Sequence, residues 1–197
     1  MCTMFEKALT MTNNLLKVIC ISALVLVLGG CAGRDRISYV VSYQEASDRF
    51  SGVAVDSSAP VERFKAVYAD LKGPDLARRI EAAYAETLYF NDTLHTFDNR
   101  AALSNYLQQT AERVDSVEVD VSRVIVDGTD VWLQWRMKTR ARALGRTMRA
   151  DTIGMTHLRF DNNGQVVLHQ DYWDSTEGVF SHIPIVGGLV RWTRNRL

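Results

Sequence analysis

His169, Asp171 and Trp173 occupy alternate positions in the last extended stretch of the chain. Successive side chains of a strand point to opposite faces, so these three share one. An imidazole and a carboxylate side by side near an apolar wall are the parts of acid–base chemistry, because burial and neighbouring charge spread their proton affinities apart. The same pair would serve as a hydrogen-bonded couple that satisfies itself in a core. Asp92 supplies a second carboxylate just beyond an earlier strand, a place where aspartate is also common as a turn residue. Trp173 suits packing as well as ligand contact. His95, His157 and His182 are scattered over loop or outer-face positions without metal-ligand spacing, and we read them as surface histidines. No Gly-x-Ser-x-Gly, phosphate-cradling Gly-rich loop or Cys–His pairing is present, which excludes most nucleophilic and nucleotide-dependent mechanisms and calls for no cofactor and no metal.

The elements that must position these groups follow from periodicity. Ser58-Ala59-Pro60 starts a helix, with Phe64, Val67, Tyr68 and Leu71 at helical spacing and Lys72-Gly73-Pro74 as its stop. Asp75 opens a second helix to about Tyr84, carrying Leu76, Ile80 and Ala83. Asp98 or Asn99 caps a third, from Arg100 to about Val114, with Leu103, Tyr106 and Leu107 on one face. Val117, Val119 and Val121, then Val131, Leu133, Trp135 and Met137, alternate with polar residues, the pattern of an antiparallel sheet with one buried side. Asp127-Gly128, Leu144-Gly145 and Asp161-Asn162-Asn163-Gly164 are the turns. In the strand from Met148 to Phe160, parity turns Thr152, Gly154, Thr156, Leu158 and Phe160 inward and His157 outward. Three helices and a four-stranded antiparallel meander make an α+β domain.

The start of the chain concerns location. Lys17 precedes eleven uncharged residues, Val18 to Leu28, too few for the roughly 20 needed to span a bilayer. Leu28-Gly29-Gly30-Cys31 follows, and this arrangement resembles a bacterial lipoprotein signal. The resemblance implies that residues 1–30 are removed, that Cys31 carries the lipid, palmitate included, and that translation starts at Met1 or Met11. Ala32 stands where an aspartate would favour inner-membrane retention, so the expected location is the outer membrane, with the domain in the periplasm. Cys2 and Cys20 would leave with the signal, and no disulfide framework remains. The remainder carries 21 basic and 22 acidic side chains, which gives no electrostatic case for nucleic acid. Residues 31–59 read as a lipidated tether, with a short strand at Ile37–Val41.

Tyr84-Ala85-Glu86-Thr87-Leu88-Tyr89-Phe90-Asn91-Asp92, the capped helix from Arg100, Leu158-Arg159-Phe160-Asp161 and His169-Gln170-Asp171-Tyr172-Trp173-Asp174 resemble, in order and spacing, the SnoaL-like and ketosteroid-isomerase-like branch of the nuclear transport factor 2-like superfamily. The resemblance covers about residues 60–180. It implies a curved antiparallel sheet wrapped around a long helix, a cystatin-like α+β barrel shaped as a cone with an apolar pocket, often dimeric through the sheet. Gln134, Arg136 and Lys138 would make such a homodimer interface polar. Asp92 falls where ketosteroid isomerases keep the proton-moving carboxylate, and Trp173 where some place an indole. Trp135, Met148 and Leu158 would wall the pocket. An isomerase oxyanion hole needs a tyrosine and a protonated aspartic acid. Thr156 stands where that acid should be, and Tyr68 is about two residues out of register. No arginine of inward parity completes the Asp-Arg-Asp group of limonene epoxide hydrolase-like members. Steroid isomerisation is therefore not expected.

The expectation is a lipid-anchored protein that binds a small apolar or amphipathic molecule through Tyr68, Trp135, Thr156 and Trp173. If it is an enzyme, it catalyses cofactor-free proton transfer, isomerisation or hydration, with Asp92 as base and Asp171 or His169 as its acid partner. The alternative is a non-catalytic envelope module for a protein partner. The basic amphipathic stretch 185–197, with Leu189, Trp192, Arg191 and Arg194, is expected to dock on the domain or cap its pocket, the alternative being a membrane surface.

Overall fold

The computed structural model describes residues 38–143, 146–183 and 186–196. The expected export signal, Cys31 and the expected Leu144-Gly145 turn lie outside the described residues. Helix α1 is Tyr39–Arg49, α2 is Ser58–Tyr68 and α3 is Leu76–Ala83. Strand β1 (Tyr84–Asn91) begins as α3 ends, and β2 (Thr96–Asn99) runs straight into α4 (Arg100–Arg113). There the Asn99 side chain accepts a hydrogen bond from Ala102 N–H, closing one of the helix's open donors. Strands β3 (Val114–Asp127), β4 (Asp130–Ala143), β5 (Arg146–Phe160) and β6 (Val166–Trp173) follow.

The four long strands form the expected antiparallel meander. The sheet has six strands in the order β2-β1-β6-β5-β4-β3, with β1 parallel to β6 and antiparallel to β2. It is curved and unclosed. Its concave side takes the apolar faces of α2, α3 and α4: Phe64, Val67, Tyr68, Ile80, Leu103 and Leu107 pack on Leu88, Phe90, Leu133, Leu158 and Phe160. The alternation along β3 survives a register shift between Val121 and Arg123, which brings Val124 back to the core side.

Two local readings are corrected. Residues 39–49 form a helix, not a strand within a tether. Tyr43, Ala46 and Phe50 fall at helical spacing and pack against Tyr89 and Leu168 on the convex face, while Val40 and Val41 remain exposed. Docking decides the matter here, since a helix this short takes its stability from its packed face rather than from propensity. That docking also corrects the reading of His157. The residue does point outward, but Tyr43 covers it and leaves it 2% exposed.

Beyond β6, α5 (Ser175–Gly178), a 3-10 turn (Phe180–His182) and α6 (Val186–Arg194) complete the described chain. Helix α6 is fastened by its polar edge: Arg194 pairs with Asp174 and Glu177, and Gly187 lies so close to the Ser181 carbonyl that a Cβ would be 2.1 Å from it. Its apolar side is not docked, with Leu189 62% and Trp192 52% exposed. The segment nearer the strand, Gly178 and Val179, reaches the pocket.

Candidate functional site

The register of the sheet assembles the site. Leu158 faces His169 across β5 and β6, Thr156 faces Asp171, and Gly154 faces Trp173, while Trp135 on β4 lies opposite Gly154. Because Gly154 has no side chain, the Trp135 indole lies across it; a Cβ there would stand 2.4 Å from the ring. The indole N–H thereby reaches Thr156 Oγ1 at 2.8 Å, and the threonine donates to Asp171 Oδ1 at 2.5 Å.

Asp171 Oδ1 also receives His169 Nε2–H at 2.9 Å. With that nitrogen donating, a neutral His169 accepts at Nδ1 from the Tyr84 hydroxyl, 2.8 Å away, and Tyr84 accepts from Tyr68 at 2.8 Å. His169 is fully buried, with Phe64, Tyr68, Tyr84 and Phe90 around its ring. Burial raises both phenols above the ordinary tyrosine range; the neighbouring Tyr84 adds to the effect at Tyr68, while at Tyr84 the Tyr68 hydrogen bond opposes it. Both therefore stay protonated as hydrogen-bonding groups. The chain of bonds runs from Asp171 through the core to Tyr68, and both ends face one cavity.

That cavity holds about 210 Å3. Phe90, Leu107, Val117, Met137 and Val179 supply apolar wall, Tyr68, Tyr106, Trp135 and Trp173 supply aromatic faces, and Asp92 and Asp171 supply carboxylates. Asp92 follows β1 in a tight turn where Thr93 has φ of 74°. Its Oδ1 accepts Leu94 N–H at 2.9 Å and His95 N–H at 2.7 Å, and its Oδ2 accepts the Tyr106 hydroxyl. Burial and then the Asp92 charge push Tyr106 well above the ordinary phenol range. Trp173 N–H donates to the Asp92 carbonyl at 2.8 Å. Asp92 is thus both a turn anchor and part of the cavity wall. Asp171 Oδ2, in contrast, accepts no hydrogen bond from the described residues, and the side chain stays 13% exposed.

Of the residues singled out in the sequence, Asp92, Asp171, Tyr68, Trp135 and Trp173 meet at the cavity. Thr156 and His169 do not reach it; each is fully buried behind Asp171 and acts through it. Leu158 belongs to the core further along β5, and Met148, near the far end of the β4–β5 hairpin, is absent from the wall. Tyr84 and Tyr106 were not singled out. Tyr84 sits at a helix–strand junction and Tyr106 on a helix face, where both read as core. The long-range bonds that give them other work, 85 residues apart for Tyr84 and His169, leave no mark on local spacing.

A curved, unclosed sheet with helices packed in its concavity is the architecture of the nuclear transport factor 2-like class of α+β folds. Within that class the chain belongs to the SnoaL-like domain family, whose model matches residues 62–169. Among solved structures it is similar to a protein described as a SnoaL-like polyketide cyclase from Shewanella denitrificans OS-217, at 17% identity and a TM-score of 0.52, over 59% of this chain and 91% of that one. It is likewise similar to an LEH-like epoxide hydrolase from M. tuberculosis (18%, TM-score 0.51, 71% of this chain and 98% of that one). A protein with a ketosteroid isomerase-like fold from Catenulispora acidiphila DSM 44928, solved in complex with trimethylamine, is a third (17%, TM-score 0.50, 60% of this chain and 89% of that one). At these identities the likeness is one of fold. No curated protein matches the chain.

Proposed function

We propose that this SnoaL-like domain binds a small, mostly apolar molecule in its cavity and that Asp171 is the group that takes a hydrogen bond or a proton from it. The observation that carries this reading is Asp171 Oδ2, a carboxylate oxygen at an apolar cavity with no donor among the described residues. Asp92 is the weaker choice for the base, because donors already occupy both its oxygens. His169 and Thr156 hold Asp171 in one orientation by donating to Oδ1, and His169 is itself held by Tyr84 and Tyr68. The chemistry that fits is proton transfer, isomerisation or hydration. No arginine among the described residues lines the cavity, so an Asp-Arg-Asp epoxide-opening group has no counterpart among them.

Asp171→Asn keeps an oxygen for Thr156 and His169 and replaces the free acceptor by an amide. Ligand binding, followed through Trp135 and Trp173 emission with a panel of small amphipathic molecules, is expected to weaken at least about tenfold. The melting temperature should stay within a few degrees. Unchanged binding would remove Asp171 from the role.

The Leu28-Gly29-Gly30-Cys31 sequence supports a second part of the proposal, that Cys31 carries lipid and anchors the domain on the periplasmic face of the outer membrane. Metabolic labelling with an alkyne fatty acid should mark the wild type and not Cys31→Ser. Labelling of both would refute it.

A further inference from the structure

We infer that the ligand of the cavity carries a positive charge on a compact apolar group, a trialkylammonium or tertiary ammonium head. This rests on the reading of the cavity as a ligand site and adds the class of ligand.

Two carboxylates, Asp92 and Asp171, line a cavity whose other described walls are aliphatic, aromatic or hydroxylic, with no lysine, arginine or histidine among them. Backbone N–H groups and Tyr106 donate to Asp92, and Thr156 and His169 donate to Asp171, so no lysine or arginine is among the described donors that reach the carboxylates. His95 stands 3.9 Å from Asp92 Oδ1, but on the half-exposed outer side of the turn. Lys72 is not part of the wall and donates to the carbonyl of Val114 at 2.8 Å.

Such a wall discriminates three ligand classes. An anion is repelled by both carboxylates. A neutral apolar molecule would strip water from Asp171 Oδ2 and return no donor, a cost for any buried polar group. A soft organic cation meets both demands: the carboxylates balance its charge, and the lining includes Tyr68, Tyr106, Trp135 and Trp173, aromatic side chains of the kind that attract alkylammonium groups. Size agrees. An engineered cavity of about 150 Å3 holds benzene, so 210 Å3 suits a ligand slightly larger than benzene.

The test compares two probes of one shape in purified full-length Cys31→Ser protein. Choline and 3,3-dimethylbutan-1-ol differ in a trimethylammonium against a tert-butyl group. Binding is followed by tryptophan emission and calorimetry. The expected result is a Kd for choline at least about tenfold lower than for the neutral isostere, the ratio falling as salt is raised. Equal or tighter binding of the neutral probe would overturn the charge assignment and leave the cavity reading standing. Binding of neither at millimolar concentration would overturn both.

Discussion

Thr156 is a single hydroxyl with two obligations, accepting from the Trp135 indole and donating to Asp171. Thr156→Val preserves shape and deletes both bonds, leaving a buried indole N–H and one carboxylate position without a partner. The expected cost is about 1–3 kcal/mol, measured by urea unfolding, with a shifted Trp135 emission in the folded state. A variant as stable as the wild type would mean that the hydroxyl joins nothing. The resemblance had cast this threonine as a ligand contact in place of an acid. Period-2 spacing correctly sent it to the inner face, but the inner face is layered, and sequence cannot tell its first layer from its second. The same limit hid His169 behind Asp171, while Asp171 and Trp173, nearer the rim, met the cavity as parity alone suggested.

At the scale of elements, the cavity depends on a glycine in the middle of a strand. β5 without a side chain at 154 leaves the space that the Trp135 ring occupies, and the ring is too rigid to yield to a Cβ at 2.4 Å. Gly154→Ala is therefore expected to destabilise by about 1–3 kcal/mol as an overpacked site, and to disturb Trp135, Thr156 and Asp171 together. A double-mutant cycle with Trp135→Phe should recover part of the loss; strict additivity would mean that the two positions do not compete for space. The long elements α2, α4, β4 and β5 were legible because each has one buried stripe or face of sufficient length. Helix α1 was not. Its docking stripe is three residues, Tyr43, Ala46 and Phe50, set among β-branched valines that read as strand.

Across the whole molecule, α1 is tied to the sheet by groups more than a hundred residues apart. The Tyr43 hydroxyl lies 2.9 Å from His157 Nδ1, His157 Nε2 lies 2.6 Å from Asp130, and Arg159 donates to Asp130 and to the Ser47 and Phe50 carbonyls. Burial lowers the proton affinity of His157 below that of a free imidazole, outweighing the pull of Asp130. Burial raises Asp130 in turn, but hydrogen bonds from Arg159 and His157 bring it below the usual carboxylate range. The sign of the linkage follows. Above the unfolded imidazole value, about 6.5, neither state holds the proton. As pH falls below it, the unfolded chain binds the proton more readily, so stability declines until the folded imidazole also titrates. Asp130 adds loss in the same direction at lower pH. The melting temperature should therefore drop between pH 7 and pH 5, and the drop should be smaller in His157→Gln. An identical drop would show that another group governs it.

The sequence by itself determined the α+β class, the meander, the capped helix α4 and the family, because apolar periodicity and turn chemistry are local and act through neighbours in the chain. It also determined which residues of the last strand share a face. Only the tertiary structure decided which inward residues reach the cavity, that Asp171 keeps an oxygen without a donor among the described residues while Asp92 does not, and that an amino-terminal helix buries His157. Each of these depends on what a distant segment places within about 3 Å of a polar atom, and hydrogen-bond satisfaction at that range is set by packing rather than by spacing along the chain.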